Sequence, residues 1–269
     1  VIFTNNSSTF SLLKSLTDLG HKPKAYIDVR DQKNIEKQTL ELLEKFNIPF
    51  YPKSEVEGCE GQKEVKKVSI RTKKNQISKI KTSMLCVSGG FNPDIHLFTQ
   101  SKGLLKWDKD HLTFKPDRIF QKTITLGSVS GNFSYEKLLV EVEKKLSEFK
   151  DLNELEVKFE INGPEKFQIK ELWETKHEKK SLWSKSFIDL QNDVTTKDLR
   201  QAVNEGFNRI EHLKRFTTNS MGTDQGKISS INALGIVSKI LKKDISEVGT
   251  TTYRPPYSPV NFSAIAGRS

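Results

Sequence analysis

Two hydrophobic periods alternate along the first fifty residues and predict a β-α-β-α-β unit. Val1-Ile2-Phe3 is a short apolar run suited to a buried strand, and Thr4-Asn5-Asn6-Ser7-Ser8 is turn and cap chemistry. Phe10, Leu12, Leu13, Leu16 and Leu19 then recur at helical spacing, and Gly20 stops the helix. Residues 24–27 read as a second strand ending at Asp28, residues 35–46 as a second amphipathic helix, and residues 48–51 as a third strand. Strands that alternate with helices predict a parallel sheet.

Further on the pattern predicts strands at 54–57, 65–72 and 77–87, the second and third forming a hairpin that turns near 73–76. Ser88-Gly89-Gly90-Phe91-Asn92-Pro93 follows, with a helix expected from about Pro93. A strand is expected at 123–126, a glycine-bounded turn at 127–132 and a long helix at 135–149. Residues 150–180 are polar and contain Gly163-Pro164, which reads as a linker wrapping over the first domain. Helices are expected at 196–205, with Thr195 as cap and Asp198 in its first turn, at 209–216 and at 229–241. The fold class expected is α/β: a partial Rossmann-like dinucleotide-binding domain followed by a small, mainly helical domain. The expected divisions are 1–85 (NAD-type Rossmann-like unit), 86–150 (return segment of the FAD/NAD(P)-type domain), 151–182 (linker), 183–248 (helical interface domain) and 249–269 (start of a further domain).

Charge changes this picture little. The 269 residues carry a formal charge of +10, and 36 of the 44 basic side chains are Lys. Much of the excess lies on the expected hairpin, where Lys63, Lys66, Lys67, Arg71, Lys73, Lys74, Lys79 and Lys81 face only Glu64. Base-reading surfaces favour Arg forks, and no nucleic-acid-binding motif is present, so a solvated basic face outweighs a nucleic-acid site. No run of 18 apolar residues and no leader pattern is visible, so neither a membrane span nor a signal is expected. Cys59 and Cys86 cannot build a disulfide framework, and a reducing, cytoplasmic setting is the default. The five His residues form no metal-ligand pattern, and no nucleophile triad is legible.

Two regions carry candidate chemistry. Asp28 ends the second strand, where dinucleotide folds place a ribose-binding carboxylate, and the turn Thr4-Asn5-Asn6-Ser7 opens a helix that can seat phosphate. That turn has no glycine, so a purely structural α/β unit stays open as the alternative. Gly89-Gly90 leaves room for a ligand or makes a tight turn, and the 127–131 turn is a second, weaker phosphate seat. The stretch from Glu211 to Lys227 gathers Lys214, Arg215, Thr217, Thr218, Gln225, Gly226 and Lys227 around hydroxyls and two glycines, which suits an anion or a phosphorylated cofactor. His212 could orient a neighbour or move protons. The alternative is a surface loop tied down by its own side chains.

These segments, taken together, resemble the alpha subunit of heterotetrameric sarcosine oxidases. The residues that carry the resemblance are Phe187-Ile188-Asp189-Leu190-Gln191-Asn192-Asp193-Val194-Thr195, then Glu211-His212 through Asp224-Gln225-Gly226-Lys227, then Gly249-Thr250-Thr251-Thr252-Tyr253-Arg254-Pro255-Pro256-Tyr257-Ser258-Pro259-Val260. Ser88-Gly89-Gly90-Phe91-Asn92-Pro93 with His96-Leu97-Phe98 also fits, as do Phe3-Thr4-Asn5-Asn6 and Asp28-Val29-Arg30. The resemblance implies an oxidoreductase subunit. In that family sarcosine is oxidised at FAD in the beta subunit, electrons pass to FMN at the alpha–beta interface, and oxygen becomes peroxide. Gamma and delta subunits complete the assembly. The alpha subunit also binds NAD, and a C-terminal folate-binding domain resembling an aminomethyltransferase, whose start the resemblance places at 249–269, passes the one-carbon unit to tetrahydrofolate. On that basis the chain would hold the middle of such a subunit and be inactive alone. Asp28 would face an NAD ribose, Thr4 to Ser7 its phosphates, and Gly89-Gly90 would line the dinucleotide domain. The Lys214–Lys227 stretch would lie at the FMN-bearing interface. A related N-methyl amine or opine dehydrogenase subunit is the nearest alternative, without an iron–sulfur cluster because only two cysteines exist. A basic nucleic-acid-binding module and a pure scaffold are the alternatives from other classes.

Overall fold

The computed structural model describes residues 1–132, 135–146, 167–175, 180–255, 258 and 260–267. The chain divides into two compact units. The first comprises Val1–Phe91, Asp110–Leu112 and Asn162–Glu178, and the second the remainder.

The first unit opens with β1 (Ile2–Thr4), α1 (Thr9–Asp18), β2 (Tyr26–Asp28), α2 (Lys37–Lys45) and β3 (Phe50–Pro52). It continues with β4 (Glu55–Glu60), β5 (Lys67–Arg71), β6 (Ile77–Lys81) and β7 (Cys86–Ser88). The parallel sheet has the order β3-β2-β1-β7, the arrangement expected of half a Rossmann fold. Alternation along β1 and β2 explains the layering. Ile2 and Tyr26 point to one face and pack with Leu13, Leu43 and Ile48 from the helices and the loop after α2. Val1, Phe3, Ala25 and Ile27 point to the other face and pack on Val56, Val68 and Ile70 of an antiparallel β4-β5-β6 sheet. Helices, parallel sheet and antiparallel sheet thus make three layers.

The expected hairpin forms, with Asn75 in the left-handed region at its turn. Its basic face is partly neutralised by β4: Glu60 accepts Lys67 and Lys79, and Glu57 holds Arg71 at 2.7 Å. The single strand expected at 77–87 is in fact two. β6 ends at Lys81, the Thr82 hydroxyl bonds the Met84 backbone, and β7 crosses to the parallel sheet. One strand cannot pair in both sheets without that corner.

The second unit contains α3 (His96–Gln100), the antiparallel pair β8 (Leu104–Asp108) and β9 (Thr113–Arg118), and α4 (Tyr135–Leu146). The β8–β9 hairpin is not legible in the sequence, and the strand expected at 123–126 does not form; those residues run as loop into a 3-10 turn at Gly127–Ser130. The rest of the helix expected to residue 149, and most of the expected linker, lie outside the described residues. β10 (Phe187–Asp189) and β11 (Val194–Thr195) then pair, followed by α5 (Thr196–Asn204), α6 (Ile210–Thr217), α7 (Ser229–Leu241), α8 (Ile245–Val248) and α9 (Phe262–Ile265). Asp198 accepts the Thr195 amide at 2.8 Å and its hydroxyl at 2.7 Å, so the expected cap starts α5. Among the described residues no helix is long and apolar enough to cross a membrane, and no group of three His, Cys, Asp or Glu could hold a metal ion.

Candidate functional site

The residues singled out in the first unit meet at the carboxyl ends of β1, β2 and β7. All but Gly89 already have an internal partner. Asp28 is fully buried, and its carboxylate accepts the Arg30 amide at 2.8 Å and the Arg30 guanidinium at 2.8 and 3.1 Å. Arg30 reaches on to Glu36 at 3.0 Å. Burial pushes the Asp28 carboxyl up, against the pull of Arg30. Burial also works against the Arg30 charge, but Asp28 and Glu36 outweigh it and raise the guanidinium pKa.

The first turn is filled as well. The Thr4 hydroxyl bonds the Asn6 backbone, and Asn6, fully buried, donates to Asn5 Oδ1 and to the Ser88 carbonyl and hydroxyl. The Ser7 amide donates to the Gln168 carbonyl at 3.0 Å, and Lys170 pairs with Asn5 through both backbone and side chain. Gly89 is exposed beside open space, whereas Gly90 is covered by Ile169. An NAD molecule therefore does not fit the Thr4–Ser7 and Asp28 positions in this arrangement: the donors for its phosphates and the acceptor for its ribose are engaged by the chain. The weaker seat at 127–131 is similar. Glu141 accepts the Gly127 amide at 3.2 Å and the Asn132 side chain at 2.6 Å, and a carboxylate there repels phosphate.

The second unit is different. Its three motif segments converge on one polar loop. Asp189, at the end of β10, accepts the amides of Gln191 and Asn192 on one oxygen and the Ser220 amide, at 2.7 Å, on the other. Gln191 takes the Thr223 hydroxyl, and Asn192 donates to the Thr218 carbonyl. Thr217 caps back onto α6 through the Leu213 carbonyl. The Ser220 hydroxyl joins Asn219, Ser229 and Ser230. Thr218, Ser220, Gln225 and Gly226 all adopt positive φ, which shows how tightly the loop folds on itself. Gly226, at φ +75°, has no room for a Cβ, which would run into Ser220 and Ser230.

The third segment docks on the same loop. Gln225 accepts the Arg254 amide at 3.0 Å, and Glu211 accepts the Thr252 amide at 2.9 Å. Tyr253 lies buried against His96, with ring centroids 3.6 Å apart. His96 Nδ1 is 2.7 Å from Asp94, whose other oxygen is 3.5 Å from Lys227 Nζ. Burial lowers the His96 pKa, with Asp94 opposing it. Burial raises that of Tyr253.

What this leaves over is positive charge. Lys214 is half-buried, and burial lowers its pKa; Glu211 opposes the shift, while Arg254 and Arg215 add to it. None of Lys214, Arg215 and Arg254 lies within ion-pair distance of a carboxylate among the described residues. A cluster of cations around one engaged carboxylate fits a phosphate or a reduced, anionic flavin. Lys214 and Arg215 also sit at the carboxyl end of α6, where the helix dipole favours cations in any case. Thr218, Arg215 and His212 are exposed. The sequence did not single out Asp189, Ser220, Asp94, His96, Tyr253 or Arg254 as parts of one site. The only local signal was the Asp-Leu-Gln-Asn turn, whose carboxylate caps the amides after it.

Residues 183–268 match the Sarcosine oxidase A3 domain. The sarcosine oxidase subunit alpha of Rhizobium meliloti (strain 1021) is 30% identical over 99% of the chain, and that of Corynebacterium sp. (strain P-1) is 31% identical over 71%. The chain spans 26% and 20% of those relatives. The L-proline dehydrogenase structure from P. horikoshii superposes with a TM-score of 0.58 at 21% identity, covering 99% of this chain and 54% of that one, which establishes the fold. With three of its motif segments gathered in the matched domain and its Rossmann-like unit ahead of them, the chain is similar to part of the sarcosine oxidase alpha subunits and spans about a quarter or less of those relatives' length.

Proposed function

We propose that the chain is the alpha-subunit portion of a sarcosine oxidase-type flavoenzyme. The reaction is oxidative demethylation of sarcosine to glycine, with the one-carbon unit passed to tetrahydrofolate and hydrogen peroxide formed. FAD sits in a beta-type partner, FMN at the interface with it, and tetrahydrofolate in a further domain; gamma- and delta-type subunits complete the enzyme. The observation that carries this reading is the cation cluster Lys214, Arg215 and Arg254, without an ion-pair partner among the described residues, beside the Gln225-Gly226-Lys227 turn and inside the segment that matches the A3 domain.

Bound there, FMN would supply a stage for electrons moving from substrate to oxygen. The chain's own part is to hold that group. Lys214 and Arg254 would take its phosphate, or stabilise negative charge on the reduced ring, because desolvation makes each cation–anion contact stronger than in water. Asp189, Ser220 and Gly226 fix the loop that presents them. Losing one charge-assisted contact of this kind costs roughly 1.5–3 kcal/mol, or about ten- to a hundredfold in Kd. Assembly with the partner subunit, followed by release and quantification of flavin, tests the reading. Lys214→Ala and Arg254→Ala should each lower retained FMN and peroxide formation with sarcosine while FAD content stays at the wild-type level. Wild-type FMN retention in both variants refutes it.

A further inference from the structure

In open parallel sheets, ligands enter the crevice at the carboxyl ends of the strands where the strand order reverses. In this chain that point lies between β1 and β7, the neighbours that flank the turn after Thr4. Three layers of internal contact close it. Asn6 spans the crevice and donates to both the carbonyl and the hydroxyl of Ser88, at 3.2 and 3.1 Å. Ser8 adds a hydroxyl contact to Ser88 at 3.1 Å. Over them lies a segment from far along the chain, Gln168-Ile169-Lys170.

That segment binds as a short strand would. Ser7 donates its amide to the Gln168 carbonyl at 3.0 Å, and the Gln168 amide returns a bond to the Ser7 hydroxyl at 2.9 Å. The Lys170 amide reaches the Asn5 carbonyl at 2.8 Å, and the Asn5 side chain reaches the Lys170 carbonyl at 2.9 Å. Lys170 Nζ donates to the Val29 carbonyl at 3.0 Å, just beyond Asp28. Ile169 bridges to Asn6 and presses on Gly90, where a Cβ would stand 2.7 Å from Ile169 Cδ1. Gly90 is at φ +101°, so the missing side chain serves both the backbone turn and the close approach. Two residues further, Leu172 packs against the core of β1, β2 and β5.

We infer that the dinucleotide seat of this Rossmann-like unit is an intrachain clasp: Gln168–Lys170 occupies the phosphate position and Arg30 the ribose carboxylate, so the unit takes no dinucleotide at that seat. A phosphate needs the free amides of the turn and of the first helical residues. Here the Ser7 amide is spent on Gln168, and the Ser8 amide on Asn6 Oδ1 at 3.0 Å. A ribose needs an acceptor, and Asp28 has none free. The retained half-Rossmann architecture then does a different job, which is to anchor a returning segment. NAD bound by the whole subunit would use another site.

Residue-resolved hydrogen exchange on the full wild-type chain tests this, with and without about 5 mM NAD, enough to load a site of millimolar Kd. The expected result is that the amides of Ser7, Gln168 and Lys170 are protected like those of β2 and are unmoved by NAD. That result stands even if NAD binds elsewhere, so it is independent of the proposed flavin site. Exchange as fast as an open loop, or exchange altered by NAD at those three amides, overturns the inference. As a second arm, Gly90→Val should force Ile169 away and speed exchange at Ser7 and Lys170 about tenfold or more, leaving Val68 in β5 unchanged. Unchanged exchange at Ser7 and Lys170 in a folded Gly90→Val chain also overturns it, and if that variant does not fold the wild-type measurement decides.

Discussion

Replacing Asp28 by Ala should destabilise the first unit severely, and the structure allows the cost to be worked out. Arg30 is 2% exposed and Asp28 0%. The carboxylate takes four bonds from Arg30, at 2.8, 2.8, 3.1 and 3.3 Å, one of them from its backbone amide. Removing one partner of a buried pair leaves an uncompensated charge, which costs about 3–5 kcal/mol. Glu36 still holds the far side of the guanidinium at 3.0 Å and is 18% exposed, so the lower end, about 3 kcal/mol, is expected. Set against a typical domain stability of about 5–15 kcal/mol, this is a large fraction. Urea denaturation followed by far-UV circular dichroism measures it, with the transition of the first unit taken separately from that of the second. Asp28→Ala/Arg30→Met removes both charges and should recover at least half of the loss, because an apolar pair of similar volume is often neutral in place of a buried ion pair. A loss under about 1 kcal/mol for Asp28→Ala, or a double variant no more stable than the single one, refutes the view that Asp28 exists to hold Arg30.

Three further outcomes are expected. Gly226→Ala should lower the unfolding midpoint of the second unit by several degrees in a calorimetric scan, since positive φ and contact with Ser220 and Ser230 act together at a cost of about 1–3 kcal/mol. Thr195→Ala removes the hydroxyl from the cap of α5 and should cost about 1 kcal/mol by urea titration, with the β10–Ser220 contacts intact. His96 is held neutral because burial lowers its pKa, so the unfolded chain binds the proton more readily. Its contribution is therefore fully present above the ordinary histidine value near 6.5 and is lost as pH falls through its lower folded value. Urea midpoints between pH 8 and pH 5 should fall in that window, and His96→Phe should flatten the fall.

Much of the architecture could be read from single segments because each carries its own period. β1, α1, β2 and α2 announce themselves through Ile2, Leu13, Tyr26 and Leu43, whose spacing matches the face they bury. The β8–β9 pair hid because only Phe114 and Thr113 are well buried, Pro116 interrupts the run, and the outward positions other than Leu104 are charged. The Thr123–Leu126 stretch has β-branched residues but no partner strand, and strand preference without a partner forms no ladder. The basic loop was visible as composition, whereas its geometry was not. Asp189 and Ser220 are 31 positions apart, and what joins them is a backbone amide, which every residue possesses. The covering of the Asn5–Ser7 turn was hidden for the same reason. Gln168 and Lys170 act largely through main-chain groups, so their polar side chains read as linker.

That last contact has a consequence for biosynthesis. Asn5 and Lys170 are 165 positions apart, and the second unit's early elements lie between them. At a translation rate of about 5–20 residues per second, the turn after β1 waits on the order of 10–30 seconds for its partner. During that interval the amides of the turn are open to water, and α1, α2 and the two sheets must hold together without them. Closing so long a loop carries an entropic cost of about 4–5 kcal/mol, which the contacts of Gln168–Leu172 must offset. A ribosome-bound nascent chain stalled shortly after residue 150 should therefore present a first unit whose sheets are formed but whose Ser7 region is cut readily by protease, and protection should arrive only once residue 172 has cleared the exit tunnel.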